Sequence, residues 1–188
     1  MTEDGSRREP SLPGVTFGRL SRYRDARGSF AEAWRATGPG EADAFPGVQS
    51  NLSSSQLGVL RGVHFHRRQA DRWIILSGAA FVALVDVRPV IIDQSSAPQV
   101  VTATLGPDET VTIPAGVAHG FLAVEPLELL YIVTNEYDGT DELGFAWDDP
   151  EAKIEWPPIA SNEGVPILSD RDVANPSLSE LIARLRHA

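Results

Sequence analysis

The sequence predicts an all-β protein: a jelly-roll barrel followed by one short C-terminal helix. Apolar segments of strand length recur between residues 59 and 134, and turns rich in Gly, Pro and Asp separate them. This spacing is typical of an antiparallel barrel or sandwich, because a βαβ fold would need long helical segments between its strands. A helical pattern is evident only near the C-terminus.

Composition limits the class of protein. With 188 residues, of which 42% are hydrophobic, we predict a single domain, residues 13–188, behind a flexible tail formed by residues 1–12. No apolar run is long enough to span a membrane and the N-terminus lacks a signal-peptide core, so we expect a soluble, cytoplasmic protein. The absence of cysteine excludes disulfides and thiol nucleophiles. A net charge of −10 opposes nucleic-acid binding, and we expect neither a nucleic-acid nor a membrane partner.

The N-terminal part predicts one strand and one polar segment. Phe30, Glu32 and Trp34 alternate on one face, which predicts a strand that carries a carboxylate inward among aromatic residues. Residues 36–47 form a loop by their Gly and Pro content, and the Ser-rich residues 49–55 are either a polar strand or a turn.

The most informative segment is residues 58–78. Apolar residues alternate with other types between residues 59 and 66, which predicts a strand with His64 and His66 on one face. A second apolar run, residues 73–87, follows a short basic turn, and we predict that the two segments pair as a hairpin. Far downstream, His119 offers a third imidazole.

Arginines are concentrated near these histidines although the protein is acidic. Guanidinium groups match the geometry of phosphate and carboxylate, so the clustering predicts an anion site. The alternative for Arg67 and Arg68 is a solvated turn. The first cluster comprises Arg61, Arg67, Arg68 and Arg72, and an earlier loop carries Arg22, Arg24 and Arg27.

The remaining strands and the helix follow from local patterns. Short strands are predicted at residues 99–105, 110–114, 120–124 and 127–134. A capping box formed by Ser177 and Glu180 starts the C-terminal helix, whose apolar face contains Leu178, Leu181, Ile182 and Leu185.

A series of motifs in residues 15–176 resembles the dTDP-4-dehydrorhamnose 3,5-epimerase family. The motifs are Asp25-x-Arg27-Gly28-x-Phe30-x-Glu32, Gln49-x-Asn51-x-Ser53-x-Ser55-x-x-Gly58-Val-Leu-Arg61-Gly-Val-His64-Phe, Pro114-x-Gly116-x-Ala-His119-Gly120-Phe121, Tyr131 with Tyr137, Trp147-x-Asp149-Pro150, Trp156-Pro157 and Leu168-Ser169-x-x-Asp172. The resemblance implies a cupin jelly roll that forms a homodimer, needs no metal or other cofactor, and acts on a dTDP-linked 4-keto-6-deoxyhexose. The implied reaction inverts C3, C5 or both in deoxysugar biosynthesis.

The same resemblance implies roles for individual residues. Inversion beside a ketone needs a base on one face of the sugar and an acid on the other, with an enolate between the two steps. By resemblance His64 is the base, Asp172 orients it, and Tyr131 is the acid. The implied substrate-binding residues are Arg27, Glu32, Gln49, Asn51, Arg61, His119, Tyr137, Glu142 and Arg171.

The sequence departs from the family at two positions after His64. Relatives usually carry a lysine that faces the sugar ketone, and counting back from Ser77-Gly78 places Asp71 there. His66 stands where relatives carry a glutamine. A carboxylate would repel an enolate, so the cation must come from elsewhere or the reaction must differ.

Two alternatives therefore stay open. The residues His64, His66, Asp71 and His119 follow the metal-binding cupin pattern, with Asp in place of the usual Glu, and could hold a divalent transition-metal ion. In that case His64 would not be free to act as a base. The other alternative is a sugar-nucleotide-binding barrel without catalytic activity.

Overall fold

The structure, a computed structural model, describes residues 12–36, 45–93, 95–159 and 162–187. Its strands are β1 (Thr16–Arg19), β2 (Arg22–Asp25), β3 (Gly28–Ala31), β4 (Gln49–Ser55), β5 (Leu60–Phe65), β6 (Asp71–Ser77), β7 (Ala80–Asp86), β8 (Gln99–Leu105), β9 (Glu109–Ile113), β10 (Val117–Ala123), β11 (Leu127–Val133) and β12 (Leu143–Gly144). The helices are α1 (Arg88–Ile92), α2 (Asp170–Val173) and α3 (Leu178–Arg186), and a short 3-10 turn spans Asn162–Gly164.

Ten of these strands form two antiparallel sheets. The first has the order β1-β9-β6-β11-β4 and the second the order β12-β5-β10-β7-β8. The main core lies between them, where Trp73 and Val111 of the first sheet pack with Leu84 and Phe121 of the second. The predicted jelly-roll class is confirmed. Among the described strands, no hydrogen-bonded ladder joins the edges of the two sheets, so the barrel is a sandwich and is not closed.

The predicted hairpin between the His64 strand and the following apolar run is wrong. Strand β5 pairs with β10 and β12, whereas β6 pairs with β9 and β11 in the other sheet. The apolar run itself is two strands, β6 and β7, which also belong to different sheets. Gly78 makes the turn between them with a positive φ of 77°, and a Cβ there would lie 1.9 Å from the carbonyl oxygen of Pro126.

The strand predicted around Phe30, Glu32 and Trp34 is also partly wrong. Strand β3 ends at Ala31, and Glu32 is exposed and forms an ion pair with Arg35 at 2.5 Å. Among the described strands, none pairs with the β2–β3 hairpin as a third strand, and Phe30 is 69% exposed. Alternation therefore gives two exposed faces here, because no described sheet covers either of them.

The loop predicted at residues 36–47 lies mostly outside the described residues, whereas the remaining local predictions are confirmed with small shifts at strand ends. The Ser-rich segment is strand β4, and strands occur at each of the four predicted downstream positions. Helix α3 has the predicted capping box, and its buried residues pack on the outer face of the second sheet beside Val63 and Phe65. The sequence did not indicate α1 or α2.

Most of the tail predicted for residues 1–12 lies outside the described residues. Leu12 is described, and it is buried in the main core. No helix within the described parts of the chain is long and apolar enough to cross a membrane.

Candidate active site

One cavity of about 430 Å³ lies between the two sheets and collects most of the predicted site residues. Its wall is formed by Gln49, Asn51, Ser53, Arg61, His64, His66, Gln69, Asp71, Trp73, His119, Phe121, Leu129, Tyr131, Val133, Tyr137, Glu142 and Arg171. The imidazoles of His64 and His66 therefore both line this cavity, as the alternation of residues 59–66 predicted.

Strand register explains why these side chains converge. On the first sheet Tyr131 lies opposite both Asn51 and Trp73, and directly paired residues of an antiparallel sheet share one face. On the second sheet His64 lies opposite His119. Tyr131 and His64 thus belong to opposite walls of the cavity.

A close approach of two glycines fixes the second wall. A Cβ on Gly62 would lie 2.7 Å from the Cα of Gly120, and Gly62 has a positive φ of 125°. Only glycines allow β5 and β10 to come this near to each other beside His64 and His119.

His64 is held by the buried carboxylate of Asp172. His64 Nε2 lies 2.7 Å from Asp172 Oδ1. Ser169 caps helix α2 by accepting from the backbone N–H of Asp172, and its hydroxyl donates to Asp172 Oδ2 at 2.9 Å. Because an ionised carboxylate can only accept, the His64 proton sits on Nε2 and Nδ1 is left with a lone pair.

The environment keeps Asp172 ionised. Burial by itself would raise the pKa of this carboxyl, but hydrogen bonds and positive charge outweigh it and lower the pKa below its usual value. The stabilising groups are His64, Ser169 and Arg171. His64 is therefore held against a permanent anion, which would stabilise the imidazolium if the ring took up a proton.

Tyr131 on the opposite wall keeps its proton. Burial raises the pKa of its phenol, and the nearby charge of Asp71 raises it further. A protonated phenol can donate a hydrogen bond or a proton into the cavity.

A second group of polar side chains, His66, Asp71 and His119, is buried in the same cavity. One ligand atom from each lies within 4.8 Å of the others. Burial lowers the pKa of His119 to about 4, although the charge of Asp71 acts in the opposite direction. The predicted set of four metal ligands is only partly assembled, since His64 is bound to Asp172 and stands outside this group.

The polar residues near the cavity opening are linked to one another. The Gln49 side chain accepts from the backbone N–H of Tyr137 at 3.0 Å and donates to Asn51 at 2.9 Å. Arg171 forms an ion pair with Glu142 at 2.6 Å. The Arg61 guanidinium donates to Ser55 Oγ and to the carbonyl of Ser54.

Of the predicted arginine cluster, only Arg61 lines this cavity. Arg67 and Arg68 are exposed on a turn that the Asp141 carboxylate holds through their backbone N–H groups, so the solvated-turn interpretation is correct for them. Arg72 is buried and lines a different cavity beside Trp34. The alternation of β6 sends Arg72 to the face of the sheet opposite that of Asp71.

Two predicted binding residues lie away from the cavity of their own chain. The Arg27 side chain is 90% exposed at the tip of the β2–β3 hairpin, where it pairs with Asp25. Glu32 lines the separate cavity that also contains Arg72 and Trp34. In contrast, Gln69 and Trp73 line the active-site cavity and were not singled out from the sequence; alternation from Asp71 would have found Trp73.

The fold and the site define a jelly-roll protein with a cavity between its two sheets, in which a histidine held by an aspartate of α2 lies on one wall and a tyrosine on the other. The profile of the dTDP-4-dehydrorhamnose 3,5-epimerase family matches residues 9–180. An enzyme of that name from Sinorhizobium fredii is 33% identical over 179 residues, which covers 91% of this chain and 88% of the relative. The chain therefore belongs to this family, and it is an isomerase.

Solved structures agree with this assignment. A 4-keto-6-deoxy sugar epimerase from the novobiocin cluster of Streptomyces spheroides superposes with a TM-score of 0.79 at 30% identity, covering 96% of this chain and 92% of that one. A Legionella pneumophila epimerase in complex with dTDP-4-keto-L-rhamnose has the same TM-score and identity, with 94% of both chains covered.

Proposed function

We propose that this protein epimerises a dTDP-linked 4-keto-6-deoxyhexose at C3, C5 or both, in deoxysugar biosynthesis. The observation that supports the proposal is that His64 and Tyr131 lie on opposite sheets across one cavity, where they could act as base and acid. Epimerisation needs this arrangement, because a proton returned from the side it left restores the starting configuration. The cavity volume of about 430 Å³ is in the range of small-molecule sites.

In the proposed mechanism His64 removes the proton from a carbon beside the ketone. The C–H electron pair moves into an enolate, and the His64 imidazolium is stabilised by the Asp172 carboxylate 2.7 Å away. Tyr131 then donates its proton to the opposite face of the same carbon, and solvent restores both residues. The raised pKa of Tyr131 means that the phenol still carries its proton when the enolate forms, and the strongly basic enolate carbon accepts it.

The other cavity residues are proposed to bind the nucleotide and the sugar. Arg61 and Arg171 are cations on the cavity wall that match phosphate oxygens. Tyr137 is 69% exposed at the opening, where its ring can stack on a base. The hydrogen-bonding side chains Gln49, Asn51, His119 and Glu142 complete the wall.

We also propose a homodimer, which gives Arg27 and Glu32 a place in binding. Both lie on or next to the β2–β3 hairpin, away from their own cavity, and Tyr23 and Phe30 of this hairpin are 66% and 69% exposed. A second copy would cover these aromatic rings. The cytoplasmic location stays a prediction from the sequence.

The test of the mechanism is Tyr131→Phe in heavy water. His64 can still remove the substrate proton, but the variant has no acid on the opposite wall to protonate the other face of the carbon. Deuterium exchange should therefore persist while inversion stops. Tyr137→Phe is the control, because it removes a hydroxyl from a second cavity tyrosine and keeps the ring. NMR of a dTDP-linked 4-keto-6-deoxyhexose reads deuterium and configuration at C3 and C5.

Inversion by Tyr131→Phe at the wild-type rate would show that Tyr131 is not the acid. A wild-type protein that binds thymidine diphosphate but exchanges no proton at either carbon would favour the binding-only alternative.

A further inference from the structure

The buried group His66, Asp71 and His119 has no role in the proton transfers described above. The three residues are 5%, 4% and 4% exposed, respectively, and they share the cavity wall. Polar side chains buried this deeply need strong partners, because burial without them costs several kcal/mol. The contacts of each side chain therefore indicate what it is arranged to hold.

Both imidazoles are fixed in the same way. His66 Nδ1 lies 2.7 Å from the carbonyl oxygen of Asp141, and His119 Nδ1 lies 3.1 Å from the carbonyl oxygen of Val117. A carbonyl can only accept, so each Nδ1 carries the proton and each Nε2 presents a lone pair. A backbone carbonyl on one ring nitrogen is the usual support of a histidine that binds metal through the other.

The carboxylate is fixed as well. Asp71 Oδ1 accepts from Gln69 Nε2 at 2.9 Å, and Asp71 Oδ2 accepts from Trp73 Nε1 at 3.2 Å. His119 Nε2 lies 3.9 Å from Asp71 Oδ2. Since that nitrogen carries no proton, the two atoms are both acceptors, and a cation between them would bind both.

We propose that His66, Asp71 and His119 bind one divalent transition-metal ion. Ligand atoms at about 2.0 to 2.2 Å from a metal are about 3.4 Å apart in a tetrahedral site and about 4.3 Å apart when they lie on opposite sides of the ion. The three atoms already lie within 4.8 Å of one another, so a contraction of the widest pair by about 0.5 to 1.4 Å brings it to a ligand spacing. Two histidines and one carboxylate leave coordination positions open toward the cavity.

His64 and the ion do not compete for the same atoms. His64 is bound to Asp172 and lies outside the three-residue group, so the base is retained when the ion is bound. This arrangement departs from the expectation of a cofactor-free enzyme, and it removes the conflict between a metal and a free base.

The ion also has a chemical task, and this part rests on the proposed function. An enolate needs a positive group near its oxygen, yet the cavity wall carries the carboxylates Asp71 and Glu142. Of the two arginines on this wall, Arg171 is paired with Glu142, and Arg61 donates to Ser55 Oγ and the Ser54 carbonyl. A divalent ion on Asp71 reverses the local charge and can polarise the sugar ketone. The site would thus supply the electrophile for enolate formation.

The test measures metal content before activity. Tag-free protein is stripped with a chelator, loaded with Zn²⁺ or Co²⁺, passed through gel filtration and analysed by mass spectrometry. Wild type should retain about one ion per chain, and the cobalt form should show the visible absorption of a protein-bound ion. Asp71→Asn, His119→Gln and His66→Gln should each weaken binding by at least about tenfold, the scale on which even outer-shell changes act.

Two variants serve as matched controls. His187→Asn removes an exposed histidine far along the chain, and His64→Asn removes a cavity histidine outside the group. Both should retain the ion. Circular dichroism melting curves confirm that every variant is folded, and removal of the ion from wild type tests the site without any substitution.

Three outcomes would contradict the inference in different ways. A loaded wild type without metal, or equal retention by the three site variants, overturns the metal site. Equal deuterium exchange by stripped and loaded wild type overturns the role of the ion in enolate formation and leaves the site intact. Stoichiometric metal with no exchange in either form supports the site and counts against the proposed epimerisation.

Discussion

Replacing Asp172 with Asn tests the base directly, because the two side chains have the same shape and differ in charge. The anion stabilises the imidazolium that forms when His64 takes the substrate proton, across a contact of 2.7 Å. Two unit charges about 4 Å apart interact by about 4 kcal/mol at an effective dielectric constant of about 20. A loss of that size slows proton removal by about 10³-fold, which is within the range of general-base effects.

The asparagine has a second effect on the tautomer of His64. Its amide can donate as well as accept, so it no longer forces the proton onto Nε2. Both effects act on proton removal, so deuterium exchange and inversion should fall together in Asp172→Asn. This pattern differs from that of Tyr131→Phe, in which exchange should survive.

The assay is the rate of deuterium exchange at C3 and C5, with substrate affinity measured separately. Asp170→Asn is the control, since Asp170 is an exposed carboxylate in the same helix and makes no contact with His64. A rate for Asp172→Asn within about threefold of wild type would refute the role assigned to the pair. A loss that Asp170→Asn shares would mean that helix α2 is damaged, not that the base is lost.

Two further predictions concern stability and assembly. In metal-free protein the pKa of His119 is about 4 in the folded state and about 6.5 in the unfolded state. Between these two pH values the imidazole is protonated in the unfolded state and neutral in the folded state, so lowering the pH favours unfolding. Stability should then drop by up to about 3 kcal/mol between pH 6.5 and 4, and urea titrations of His119→Gln should show a smaller drop; equal pH slopes would contradict the shift. For assembly, sedimentation of the wild type should show a dimer, and Phe30→Glu should dissociate it. Ile92→Glu is the control, because it changes an 87% exposed apolar residue of α1, and it should leave the dimer intact. A monomeric wild type, or the same behaviour in both variants, would contradict a dimer built on the β2–β3 hairpin.

The two wrong structural predictions have opposite causes. The hairpin between the His64 strand and the next apolar run was inferred from a short connection, but β6 has both faces buried, with Trp73 in the main core and Ile74 in a separate apolar cluster. A strand buried on both faces gives a continuous apolar run whichever sheet it joins. The prediction for Glu32 was wrong for a different reason, because no sheet in the described part of the chain covers its alternating segment.

The sequence alone determined most of the strands and which face their side chains take, because a period of two is a local property of the backbone. It placed His64 and His66 in one space and the capping box of α3 at Ser177. The tertiary structure decided which strands pair, and therefore which partner each polar group meets. Asp172, 108 residues from His64, binds that imidazole and separates it from the group formed by His66, Asp71 and His119. No local sequence pattern predicts this contact, since it depends on how two sheets and a short helix pack around one cavity.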